Sequence, residues 1–185
     1  MLRKRATLFS LLVIITAVLL TTTVAWTQEF VTDGLIGFWT LDEDTIDVNT
    51  VGDVWGENHG EIDGNPKIVE GKLNEALEFD GEADLVQLPN IGNTETVTIE
   101  VWAKAFSFPQ YAGLVSAPTS DPGMVHFKLR GSGAVSVDKR DNANSLDSSP
   151  IEQNVWFHAL YTCNTKDDEL KLYVNGELVG TDIPG

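Results

Sequence analysis

The chain has 185 residues, 42% of them hydrophobic and 9% aromatic, which is enough to bury the core of one ordinary domain and too apolar for a disordered polypeptide. Its 28 acidic residues against 12 basic give a formal charge of −16, so a phosphate backbone would be repelled and nucleic acid is excluded as a partner. The same excess suits cation-binding loops or a solvated acidic surface.

The N-terminus reads MLRKRATLFSLLVIITAVLLTTTVAWTQ: a basic cluster, an apolar run from Leu8 to Leu20, then small residues ending at Ala25. This order predicts a secretory signal over residues 1–25, a mature chain that starts near Trp26, and a short leader over 26–33. The competing reading is an uncleaved anchor, but the apolar run is shorter than the about 20 residues a spanning helix needs. Both readings place the remainder outside the cytoplasm, secreted or on the cell surface. Cys163 is the sole cysteine, so no intramolecular disulfide forms and the thiol is expected to pack as a small apolar group.

From Gly34 onward the chain reads as strands. LIGFWTLD, LVQLP, TVTIEVWAKAF, AGLVSA, MVHFKLRG, AVSVDKR, VWFHALYTC and ELKLYVNGELVGT are short, rich in β-branched and aromatic residues, and bounded by Gly, Pro, Asn and Asp. Two connections interrupt them and read as loops. One runs from Asp42 to Glu75 and contains DVWGENHG, and the other is the polar stretch from Lys139 to Asn154. In ELKLYV the alternation turns Leu170, Leu172 and Val174 to one face and Lys171 and Tyr173 to the other, while Asn175-Gly176 predicts a tight hairpin turn. One-sided strands predict an all-β antiparallel sandwich.

In ALEFDGEADLVQLP, Glu78, Asp80 and Glu82 fall at every second position, a spacing that can line carboxylates along one strand face for glycoside cleavage. Gly81 and the DGEAD chemistry instead predict a turn that breaks the strand before Glu82. His59, His126 and His158 show no metal-ligand spacing.

GLIGFWTLDE, DVWGENHGEIDG, GKLNEALEFDGEADLVQLP, TVTIEVWAKA and NVWFHALYTCN with ELKLYVNGELV resemble, in order and spacing, the laminin-G-like jelly-roll modules of the concanavalin-A-like superfamily. The matching positions are Asp53, Gly56, Asn58 and Gly60 in the first loop; Ala76, Leu77, Phe79, Asp80, Gly81, Asp84, Val86 and Pro89; and Trp156, His158, Ala159, Leu170, Leu172, Tyr173, Val174 and Gly176. The resemblance implies a domain over 34–185. It also implies a missing closing strand, since such modules run on past the hairpin whereas this sequence stops at TDIPG. The superfamily includes endoglucanases, but the resemblance assigns the Glu78 to Glu82 segment to a strand-turn-strand, so no catalytic residue is expected.

Many such modules hold calcium near the loop that carries Asp53 and Asn58, which makes these two the candidate metal ligands and Ca2+ the candidate cofactor. The alternative is that both only bond their own turn. Sugar stacking needs aromatic faces on loops, and Trp55, Phe108 and Tyr111 satisfy that, whereas Trp39, Trp102 and Trp156 lie in strands and are expected in the core. The function expected is an exported, non-catalytic binding module for a carbohydrate or an extracellular protein. The alternative is a structural or adhesion spacer of a larger surface protein, with a glycoside hydrolase as a remote third.

Overall fold

The computed structural model describes residues 32–92, 94–118, 125–138 and 145–182. Two compact units divide the chain, Met1–Asp33 and Gly34–Gly185. The export signal read over 1–25 lies outside the described residues, and so does the leader up to Val31.

Within Gly34–Gly185 the strands are β1 (Ile46–Asp47), β2 (Thr50–Val51), β3 (Gly60–Asp63), β4 (Lys67–Glu70), β5 (Glu75–Glu78), β6 (Leu85–Gln87) and β7 (Thr96–Lys104), followed by β8 (Ala112–Ser116), β9 (His126–Leu129), β10 (Ala134–Asp138), β11 (Ser145–Pro150), β12 (Trp156–Asn164), β13 (Glu169–Val174) and β14 (Glu177–Asp182). They form antiparallel sheets in the orders β1-β2-β3-β6, β4-β5, β11-β10-β9-β8 and β14-β13-β12-β7. The all-β sandwich expected from the alternation is the fold.

Parity explains why β7, β12 and β13 associate. In β7 the residues Val97, Ile99, Val101 and Ala103 face one way and Thr98, Glu100, Trp102 and Lys104 the other, so one face must leave water. It does so beside Phe157, Ala159 and Tyr161 of β12, which lies between β7 and β13, with Ile99 opposite Tyr161 and Tyr161 opposite Leu172. Across the sandwich stand Phe127, Leu129, Val135 and Val137 from β9 and β10, and the Phe127 and Tyr161 rings meet at 6.1 Å between centroids. Burying each such Phe, Leu or Val contributes about 1.5–3 kcal/mol.

The hairpin closes as the sequence predicts. Val174 pairs with Glu177, Asn175 and Gly176 hold φ of 52° and 81°, and the Asn175 side-chain oxygen accepts the His158 amide at 2.9 Å. Cys163 is half-buried against the core.

Three sequence expectations are corrected. LIGFWTLD is no strand, because its backbone bonds run to the neighbouring loop rather than to a ladder: Phe38 N–H donates to the Asp53 carboxylate and Val54 N–H to the Phe38 carbonyl. The Asp42 to Glu75 stretch is no plain loop, since it contains β1 to β4, each of two to four residues and too short for alternation to show. The polar Lys139 to Asn154 stretch contains β11, whose Ser and Asp residues disguise a strand that pairs with β10 through Ser136–Asp147 and Val137–Leu146.

Candidate functional site

The first loop is organised by one carboxylate. Asp53 is 5% exposed; its Oδ1 accepts the amides of Phe38 (2.8 Å) and Trp55 (3.0 Å), and its Oδ2 that of Asn58 (3.1 Å). Crowding sets the neighbours: a Cβ at Gly56 would stand 3.0 Å from Asp53 Oδ2, and one at Gly37 3.1 Å. Burial alone would raise the Asp53 pKa, but the amides of Phe38, Trp55, Gly56 and Asn58 outweigh it and hold the carboxyl below its ordinary range. The Asn58 side-chain amide donates to the Ile36 carbonyl at 2.9 Å, and His59 Nδ1 accepts the Asp53 N–H at 3.0 Å.

A calcium ion at Asp53 would share its oxygens with the positive ends of those N–H dipoles. Among the described residues no group of three His, Cys, Asp or Glu side chains stands together. The residues here fit a carboxylate-capped turn better than a cation cage. Trp55 belongs to this turn: its ring is 48% exposed and its indole N–H is tied to the Leu35 carbonyl at 2.9 Å.

The alternating carboxylates do not share a face. Gly81 takes φ of 77°, and Asp80 Oδ1 accepts the amides of Glu82, Ala83 and Asp84 at 2.8–3.2 Å, so the strand ends at Glu78 and a turn follows. These bonds hold Asp80 below its usual pKa.

Tyr111 and Phe108 both lie on the loop before β8. The Phe108 ring lies against Gly133, where an added Cβ would approach it to 3.3 Å, and Gln110 Oε1 accepts the Gly131 N–H at 2.9 Å. The loop is thereby fastened onto the turn between β9 and β10. It holds Tyr111 at φ of 65°, a left-handed conformation that bulky residues rarely adopt, with the residue 60% exposed. Lys128 Nζ lies 5.1 Å and Arg130 Cζ 5.4 Å from that ring's centroid.

These two cations open a polar network on the face of the β8 to β11 sheet that does not carry Phe127, Leu129, Val135 and Val137. Lys128 pairs with Asp138, and Arg130 lies 3.8 Å from Asp138 and 3.5 Å from Asp147. Arg130 also donates to Ser136 Oγ (3.1 Å) and Ser145 Oγ (2.6 Å), and Ser136 donates to Asp147 at 2.6 Å. Burial would raise Asp147, but the Ser136 and Ser145 bonds and the Arg130 charge hold its carboxyl below the usual range. The floor is out of water, with Lys128 8% and Ser136 0% exposed, while Asp147 and Tyr111 remain open at the rim.

A buried, bonded floor beneath an exposed ring can orient a polyhydroxyl ligand by paired hydrogen bonds while the ring stacks on its apolar face. Of the sequence candidates, Tyr111 stands at this place, whereas Phe108 is half-buried against the core and Gly133 and Trp55 is bonded into the Asp53 turn. The network residues were missed, although HFKLR and AVSVD carry the signal: polar side chains at 126, 128, 130, 136 and 138 alternate with core apolar ones.

Trp102 and Trp156 also depart from expectation. Both share the face of β7 and β12 that points away from the core, where Trp102 is 47% exposed and its ring meets that of His158 at a tilt, 5.2 Å between centroids, and His158 bonds Glu100 at 2.8 Å. Parity decided it, because Val101 and Phe157 take the inward positions. Trp39 is half-buried and its indole donates to the Asn58 carbonyl at 2.8 Å.

Among curated proteins, none matches the chain. In fold it is similar to Domain 4 of AbnA, a GH43 extracellular arabinanase from Geobacillus stearothermophilus in complex with arabinotriose, at a TM-score of 0.58 and 16% identity over 71% of this chain and 68% of that one. A laminin-G family model, described as the concanavalin A-like lectin/glucanases superfamily, matches residues 80–184, which span β6 to β14 and the network just described. By that match over more than half of its length, the chain belongs to the concanavalin A-like lectin/glucanases superfamily.

Proposed function

We propose that this chain is an exported, non-catalytic carbohydrate-binding module whose ligand stacks on Tyr111 and bonds the Arg130, Asp138 and Asp147 rim of the network beside it. The observation that carries the reading is the exposed, strained tyrosine fixed next to a buried charge-assisted network. The similarity in fold to a domain solved with arabinotriose supports it. Phe108 acts as the wedge that holds the Tyr111 loop, and Trp55 as a stabiliser of the first turn. Export rests on the sequence pattern of residues 1–25. Secreted protein that begins near Trp26 on N-terminal sequencing agrees with it, and an intact Met1 in the membrane fraction refutes it.

Titration calorimetry against a panel of oligosaccharides tests the binding. Tyr111→Ala is expected to weaken the best ligand about tenfold or more, the loss of roughly 1.4 kcal/mol of stacking and contact. Alanine keeps a Cβ and with it the positive-φ strain, so Tyr111→Ala should leave the melting temperature nearly level, whereas Tyr111→Gly relieves that strain and should not lower it. Saccharide binding untouched by Tyr111→Ala removes the site, and no binding to any glycan favours the spacer reading.

A further inference from the structure

We propose that the Tyr111 site selects neutral glycans and discriminates against those bearing carboxylate or sulfate groups; this deepens the carbohydrate-binding reading and rests on it. Among the described residues, the two cations of the network that a uronate or sulfate would seek already have anionic partners. Lys128 is paired with Asp138, and Arg130 lies between Asp138 and Asp147 while its N–H groups also bond Ser136 and Ser145. Among the described residues, two positive and two negative side chains balance one another in the network. Asp147, the member most open to water, presents a carboxylate at the rim, where an incoming anion would meet it first.

The surroundings act in the same direction. The chain carries 28 acidic residues against 12 basic, so a polyanion approaches through a repulsive field, whereas a neutral sugar feels none. Carboxylates also accept hydrogen bonds from sugar hydroxyls, and Arg and Lys donate to them, so a mixed network bonds a polyhydroxyl compound without exchanging ion partners. His126 adds a polar atom to this face. It lies two residues before Lys128 on β9, with Ser116 opposite it, and its Nε2 is buried with no hydrogen-bond partner among the described residues.

The test compares the full chain's affinity for neutral trisaccharides (arabinotriose, xylotriose, cellotriose) with that for trigalacturonate. A neutral ligand should bind at least about tenfold more tightly than the uronate, the discrimination expected of one unfavourable charge contact near a protein surface. Asp147→Asn keeps the shape and removes the rim charge, so it should improve trigalacturonate binding about tenfold relative to the neutral ligand. Asp138→Asn, which disturbs the Lys128 pair instead, serves as the second variant should the first fail to fold by circular dichroism. Trigalacturonate bound as tightly as the neutral sugars by the unaltered chain overturns the selectivity and leaves the glycan reading standing. Binding to neither class overturns both.

Discussion

Four backbone N–H groups, from Phe38, Trp55, Gly56 and Asn58, converge on the Asp53 carboxylate. Its replacement leaves several half-buried donors unmatched, each costing about 1–3 kcal/mol, so Asp53→Ala should destabilise the domain by about 2–4 kcal/mol in urea titration. The pH dependence has a definite sign. The folded carboxyl is depressed below its ordinary value of 3.8, so between the two values the unfolded chain binds more protons than the native one. Its contribution is therefore complete above pH about 4 and lost as pH falls through the depressed folded value. Asp53→Asn should flatten that acid limb of the urea midpoint. Because the same oxygens face amide hydrogens, melting in chelator and in about 10 mM calcium, the weak extracellular range, should coincide. A calcium-dependent rise that Asp53→Asn abolishes would assign the ion to this loop.

At the scale of elements, turn glycines differ in what surrounds them. Gly64 has φ of 95°, and a Cβ there would lie 2.2 Å from Asp84 Oδ1 and 2.9 Å from its Cα. Asp84 cannot withdraw without loss, because it accepts the amides of Asn65 and Asp80 and so joins the β3–β4 turn to the Asp80 turn. Gly176, with φ of 81°, has nothing within 4 Å of such a Cβ. Ala at Gly176 should cost only the left-handed strain, about 1–2 kcal/mol. Ala at Gly64 should cost clearly more, and equal urea midpoints for the two variants would contradict this account. The same contrast explains what was legible in the sequence. Asn175-Gly176 and the parity of β7, β12 and β13 are local signals, readable without knowing what lies nearby. β1 to β4 are too short for alternation to show, β3 takes its register from β6, as Ile62 does from Val86, and β11 is disguised by its Ser and Asp residues. Tyr111 was legible as a loop aromatic. Its union with Lys128, Arg130, Asp138 and Asp147 was not, because β8, β9, β10 and β11 bring those residues together only through pairing. Trp102 was misplaced because residue type was weighed above parity.

For the whole molecule the governing quantity is the formal charge of −16. Folding concentrates that charge, so the compact state repels itself more than the unfolded chain does. Salt screens over about 10 Å at 0.1 M, which reaches exposed carboxylates but hardly touches the Lys128–Asp138 pair inside the network. Screening should therefore relieve more repulsion than attraction. Raising sodium chloride from about 0.02 M to about 0.5 M should lift the melting temperature by a few degrees, the equivalent of about 1–2 kcal/mol for a chain of this size. A fall instead would mean that exposed ion pairs such as Lys171–Glu169 outweigh the net charge. Glycan binding supplies the internal comparison. A neutral ligand on a charge-balanced site displaces no counterions, so its dissociation constant should change less than about twofold across the range in which the melting temperature moves. An affinity that falls steeply with salt while stability rises would identify an ionic ligand and place the recognition elsewhere than in the compensated network beside Tyr111.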